Sequence, residues 1–256
     1  MPDEVVSAIV LRRVQHGDAD IIATLLTREF GKIAVIGKGA QHSAKRFAGT
    51  LELFVHLQAV LTPGRGGMLV LKEASLINAF EHIRENIYHT AYASYWTELL
   101  LRFLEERHRQ PTLFDLLKRL LESLNANQWS VAELNILFQI RFLAFTGYLP
   151  HLATCGMCQK PIEEISQERI LFSVSEGMLL CDRCSKSHSQ TVLLSVRTIK
   201  QLLWMITGDL NKAFRARLAH QSQEEGTKLL ETFIPFHTQM KLKSLHFLQQ
   251  IREDIG

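Results

Sequence analysis

Five short apolar runs within residues 1–80, helix-period segments over 81–256 and four cysteines near residues 150–190 predict a multidomain α+β chain. Its expected parts are a small N-terminal β-barrel and a mainly α-helical domain with an inserted four-cysteine module. For the barrel, Val6–Arg13 is rich in Val, Ile and Leu, and Gly17 follows as a turn. Asp20–Arg28 holds Ile21, Ile22, Leu25 and Leu26, and Phe30-Gly31 then turns into Lys32–Gly37. Thr50–Thr62 and Met68–Ile77 complete the set, separated by the turn signal Pro63-Gly64-Arg65-Gly66-Gly67. No helix-period segment interrupts them. A five-stranded OB-type barrel fits this count, and an SH3-like barrel fits it nearly as well.

From residue 82 the period changes. One helix is expected over 82–107, with Tyr88, Tyr92, Tyr95, Trp96 and Leu99 on one side. A second starts at Pro111-Thr112 and carries Leu113, Leu116, Leu117, Leu120, Leu121 and Leu124, an i, i+3, i+4, i+7 stripe. Ser130 with Glu133 forms a capping-box pattern, opening a helix whose apolar face holds Ile136, Ile140 and Leu143. After the cysteine module, Val196, Ile199, Leu202, Leu203 and Ile206 mark a helix stopped by Gly208. The tail from Gln223 to Arg252 is expected to be helical, with Pro235 as a break or kink.

Composition narrows the classes. Of 256 residues, 46% are hydrophobic and 21% charged, which excludes a largely disordered, collagenous or coiled-coil chain. Net charge is only +3, so a case for nucleic acid must rest on local clustering. The longest stretch without Asp, Glu, Lys or Arg near the middle, 142–159, is interrupted by Gly147, Pro150 and His151, so no membrane span is expected. Asp3 and Glu4 sit where a signal peptide would be basic, and the reading is a cytoplasmic protein.

Cys155, Cys158, Cys181 and Cys184 are the chain's only cysteines. Two Cys-x2-Cys pairs place two thiolates on each of two tight turns, so all four can reach one ion. Four sulfurs make a closed tetrahedral site suited to Zn²⁺, with no open position for water, which points to a structural ion. The spacer of 22 residues reads as a hairpin, Arg169–Val174 and Met178–Leu180, turning at Glu176-Gly177. His151 and His188 flank the module and are read as bystanders.

A second signal lies in the barrel. Between Phe30 and Leu51 there is no acidic residue, while Lys32, Lys38, Lys45 and Arg46 occur beside Gly31, Gly37 and Gly39. Arg12, Arg13 and Arg28 precede them. Such charges on a barrel loop can neutralise phosphates, and glycine lets backbone approach them. The same charges also suit a solvated loop. The aromatic stripe from Tyr88 to Trp96 could stack bases or pack a core. There is no phosphate-binding Gly-x4-Gly-Lys-Ser/Thr, no His-x-Glu, no His-Glu-x-x-His and no Gly-x-Ser-x-Gly, so no enzyme is indicated.

The run IATLLTREFGKIAVIGKGA at 22–40, after VLRR at 10–13, resembles the N-terminal domain of the bacterial RecO family of recombination mediators. GYLPHL at 147–152 before the cysteines resembles family members that keep zinc, and KLKSLHFL at 241–248 resembles the closing helix. The resemblance implies an OB-fold over 1–80 and a helical domain over 81–256 with its zinc module at about 150–190. It also implies binding of single- and double-stranded DNA and annealing of complementary strands. The implied partners are RecR and the C-terminal tail of single-stranded DNA-binding protein, held in a groove of the helical domain, with RecA loading as the outcome. No nucleotide is implied, and the place of action is the cytoplasm, at the nucleoid. Carried over as DNA-binding are Lys38 first, then Arg46 and Lys45, and then Arg12, Arg28 and Lys32. Where the family has basic residues after Lys38-Gly39-Ala40, this chain has Gln41 and His42, and the charge returns at Lys45 and Arg46. A zinc-ribbon transcription or scaffold factor, and a protein–protein adaptor without DNA contact, are the competing readings.

Overall fold

The computed structural model describes residues 3–47, 49–185, 190–215 and 217–255, with the side chains of Ala44, Lys45, Arg65 and Ile255 outside that description. Strands β1 (Glu4–His16), β2 (Asp20–Thr27), β3 (Gly31–Gly37), β4 (His56–Pro63) and β5 (Leu69–Asn78) close a barrel in the order β1-β2-β3-β5-β4. Only β3 and β5 pair in parallel, with Val35–Gly37 against Leu69–Leu71, and this closing pair makes the barrel OB-like. β1 is long because it serves two neighbours: residues 4–9 pair with β4 and residues 8–16 with β2, across a register shift between Val10 and Arg12. Alternate residues such as Val6, Ala8, Val10, Ile33 and Val35 point inward and fill the core.

Two expectations about the barrel change. Thr50–Val55 is not strand: Phe54 takes a left-handed φ of 71°, and the segment buries Leu51, Phe54 and Val55 from a loop. Phe54 N–H donates to the Val10 carbonyl and Val10 N–H to that of Val55, so this apolar loop plugs the irregularity of β1. A short helix α1 (Ala44–Phe47) also stands where none was expected.

Three helices pack beside the barrel. The expected helix over 82–107 is two, α2 (Glu81–Glu85) and α3 (Ile87–Phe103), because the Asn86 side chain accepts the N–H groups of Tyr88 and His89 and starts a new helix. Tyr92, Tyr95 and Trp96 are buried and Tyr88 is half-buried, so all of the aromatic stripe but Tyr88 is core. α4 (Pro111–Asn125) begins on its proline and buries the predicted leucine stripe. The segment between α3 and α4 lies against the edge of β3, where Arg107 N–H donates to the Lys32 carbonyl at 2.8 Å. Gly31 there has φ 70°, and a Cβ would overlap the His108 carbonyl, so only glycine permits this approach.

The remaining helices and strands start with α5 (Val131–Thr146), which is buried all round rather than on one face. The capping box does not form. Glu133 is buried and accepts Leu218 N–H at 2.7 Å, while the Ser130 hydroxyl turns to Gln223. Strands β6 (His151–Cys155), β7 (Arg169–Ser173), β8 (Met178–Leu180) and β9 (Thr191–Ser195) form a sheet in the order β6-β8-β7-β9, which contains the expected β7–β8 hairpin. Helices α6 (Val196–Thr207), α7 (Leu210–Ala213), α8 (His220–Thr238) and α9 (Lys243–Ile255) follow. Pro235 does not interrupt the tail: it lies within α8, and the break comes at Gln239, in the left-handed region at φ 53°. Buried Glu225 ties α8 to the sheet and α6, accepting Ser195 N–H, the Thr198 hydroxyl and Arg169. Its carboxyl sits below the usual range: burial opposes ionisation, and these donors outweigh it.

Contacts along the chain define two compact units, residues 1–128 with 246–256, and residues 129–245. No helix among the described residues is long and apolar enough to cross a membrane.

Candidate metal centre and nucleic-acid surface

The cysteine site is assembled by backbone hydrogen bonds. Cys155 ends β6 and Cys181 follows β8, and the parallel β6–β8 pairing puts Cys155 opposite Leu179. The first turn is closed by Gln159 N–H to the Cys155 carbonyl and Cys155 N–H to that of Lys160, and the second by Cys184 N–H to Cys181. Gly156 N–H donates to Leu179 and fastens one turn to the other. A Cβ at Gly156 would collide with Met178, so this close approach needs glycine.

The four Sγ atoms lie within 4.8 Å of one another, close enough to hold a metal ion. Cys158 and Cys181 sulfurs are 3.7 Å apart. Two sulfurs on a tetrahedral ion with bonds of about 2.3 Å stand roughly 3.8 Å apart, so the Cys158–Cys181 pair already has the spacing that Zn²⁺ needs and four thiols suit that ion. Burial opposes ionisation of Cys155, but the N–H groups of Cys158, Cys181 and Met157 bring its thiol down to about 6. Cys184 is pushed up to about 12 by its bond with Cys181, by burial and by the other two cysteines. One sulfur thus carries charge readily and makes ionisation of a neighbour costly, which a divalent cation at the centre would relieve. His151 bonds Thr154 and is not part of the cluster, and His188 lies outside the described residues.

The basic stretch of the barrel begins where β3 ends. Lys38 is exposed, and its Nζ meets the Asp20 carboxylate at 2.6 Å. The other Asp20 oxygen accepts Gly39 N–H at 2.9 Å. Arg46, on α1, donates to the Lys38 carbonyl at 2.8 Å and lies over the Phe47 ring. Lys38 and Arg46 are therefore brought together on one loop, and Asp20 is the carboxylate that anchors it. The Lys38 ammonium first, then Gly39 N–H, hold the Asp20 carboxyl below its usual range. A cavity of about 320 Å³ opens beside this loop, lined by Arg13, Gln41, His42, Ser43 and Glu52 among others, with Arg13 and Glu52 ion-paired.

With both sites described, the comparisons are informative. The family model for the N-terminal part of recombination protein O matches residues 1–80, and that for its C-terminal part matches residues 84–246. The chain belongs to the RecO family. It is 39% identical to the DNA repair protein RecO of Desulfatibacillum aliphaticivorans over 254 residues, 98% of each chain. It is 40% identical to that of Desulfosudis oleivorans over 258 residues, covering 98% of this chain and 99% of the relative. The RecO of Symbiobacterium thermophilum is 32% identical over 248 residues.

The other RecO-derived candidates are spread over the barrel. Arg12 is exposed on β1 and makes no ion pair or side-chain hydrogen bond among the described residues. Arg28 reaches both oxygens of Asp115 on α4, at 3.1 and 3.3 Å, and Lys32 donates to the Leu101 carbonyl at 2.7 Å. Those two fasten the barrel to its helices instead of joining the Lys38 loop. Lys45 is on α1, with its side chain outside the described ones. Asp20 was not singled out from the sequence, because an acidic residue at the start of a strand gives no sign of the loop it anchors 18 positions later.

Proposed function

We propose that this DNA repair protein is a recombination mediator that binds single- and double-stranded DNA and anneals complementary strands. It would work with RecR and the C-terminal tail of single-stranded DNA-binding protein to place RecA on coated strands. The observation that carries the reading is the end-to-end match to proteins named for DNA repair, in a chain whose barrel displays Lys38 and Arg46 on one exposed loop. Phosphates of two strands neutralised on such a surface repel each other less, so bases can pair. Pairing breaks no covalent bond and consumes no nucleotide, and the place of action is the cytoplasm.

Asp20 sets the sensitivity of the loop. A phosphate that approaches Lys38 must compete with this carboxylate, whereas Arg46 is oriented only by a carbonyl and its own neighbours. Arg12 supplies a further cation on the barrel. The four cysteines would hold one Zn²⁺, whose contribution is a cross-link between the two turns.

The test is annealing of two complementary oligonucleotides coated with single-stranded DNA-binding protein, without ATP. Acceleration that fades with salt is expected. In a variant with Lys38→Ala and Arg46→Ala the rate should fall and the slope of log affinity against log salt should shrink by about 1–2. Bare-strand binding without acceleration would leave a DNA-binding module that is not a mediator. Strong preference for one duplex sequence would favour the transcription factor, and no binding at all would favour the adaptor.

A further inference from the structure

The unit of residues 129–245 carries an open groove of about 590 Å³ lined by Val196, Arg197, Lys200, Gln201, Trp204 and Arg217. Arg197, Lys200 and Trp204 recur on one face of α6 at i, i+3 and i+7, a row about 10 Å long at 1.5 Å rise per residue. Trp204 leaves 41% of its surface in water, although a tryptophan ordinarily gains by burial. The side chains of Arg197 and Lys200 are exposed and form no ion pair or hydrogen bond among the described residues. The first turn of α6 carries no acidic residue to offset them. On the opposite wall, Arg217 is fixed with its guanidinium 3.6 Å from the centre of the Trp129 ring and 3.8 Å from the Glu133 carboxylate. Among the described residues, no carboxylate lines the groove.

We infer that this groove is a second nucleic-acid contact, in which Trp204 stacks on an unpaired base while Arg197, Lys200 and Arg217 meet flanking phosphates. Arg197 and Lys200 have no acidic partner among the described residues, and together with Arg217, which shares Glu133, they attract a polyanion. An open indole face selects a planar ring, and a row of charge ending in a ring matches a polymer that alternates the two. A duplex hides the faces of its bases between neighbours, so the groove prefers single strands. This deepens the proposed DNA-binding reading and rests on it, but it names residues in a different unit from the Lys38 loop.

The experiment titrates the full-length protein with a labelled oligo-dT and with a duplex of equal length, following anisotropy, and with unlabelled oligo-dT, following tryptophan emission. Oligo-dT should quench emission in the wild-type protein. Trp204→Ala should lose most of that quenching and weaken oligo-dT binding about tenfold, with duplex affinity changed less than about twofold. Trp204→Phe, which keeps a ring, should retain oligo-dT affinity. Unchanged oligo-dT affinity in Trp204→Ala overturns the inference, as does an equal loss for strand and duplex. Loss of an acidic, apolar-tipped peptide with oligo-dT binding intact also overturns it, and makes the groove a peptide site. The Lys38→Ala, Arg46→Ala variant separates the two proposals. If it alone weakens DNA binding, only the groove assignment fails; if the wild-type protein binds no DNA, both fail.

Discussion

The cysteine module and the Lys38 loop hold their key side chains by opposite means. In the module, backbone N–H groups hold the two cysteine turns so that four sulfurs lie within 4.8 Å of one another. At the loop, the positioning groups are themselves anionic or polar oxygens: the Asp20 carboxylate on Lys38, a carbonyl under Arg46. The first arrangement groups donors that an ion from outside would join. The second is already satisfied internally, so an incoming phosphate gains only the difference between two similar contacts. A site of the first kind would bind an ion tightly and exchange it slowly, and one of the second kind would bind weakly at each contact and release, which suits the strand pairing proposed above.

The comparison can be broken most severely at the module. Cys155→Ser removes the buried sulfur at the end of β6, and the expected result is loss of one equivalent of bound zinc together with at least about 4 kcal/mol of stability. Metal analysis beside thermal unfolding checks this, and a variant that keeps its zinc would mean the other three cysteines suffice. A smaller effect is expected at the loop. Asp20→Asn keeps an acceptor for Gly39 N–H but removes the charge that competes for Lys38, so oligonucleotide affinity at neutral pH should rise severalfold at low salt. The Asp20 carboxyl titrates below its usual 3.8, so its tie to Lys38 is fully present above that pH and is lost only as pH falls through the depressed value. The gain from Asp20→Asn should therefore be constant from pH 5 to 8, and a gain that varied over that range would implicate another group. The smallest effect concerns Arg28. Its pair with Asp115 is half-exposed, so Arg28→Ala should barely move thermal stability and leave DNA affinity unchanged. A large loss of affinity would return Arg28 to the DNA surface.

This contrast also explains what could be read in advance. Thiolate spacing is a covalent fact of the chain, and two Cys-x2-Cys pairs leave few alternatives for four sulfurs. The barrel was legible for a related reason, since alternating apolar residues can face only one core. What the sequence hid was the partner of each cation. Arg28, Lys32 and Lys38 look equivalent in a run of basic residues, yet one pairs with Asp115 on α4, one with a carbonyl of α3 and one with Asp20. Long-range contacts of this kind have no local signature. Glu133 misled in the same way: its position suits a cap, but its burial makes the Leu218 amide the better partner. Trp204 was not singled out at all, because exposure on a folded surface is not a property of spacing.

The unit that contains the barrel is not continuous along the chain. It closes with residues 246–256, where Leu248 and Ile251 are buried and the Arg252 guanidinium lies over the Tyr92 ring. Residues 129–245 form one uninterrupted stretch. On the ribosome every residue of that middle stretch is made before Leu248 and Ile251 can join the barrel's unit. Until then part of its aromatic core, with Tyr92 at the margin, is left for chaperones or for premature contacts to find.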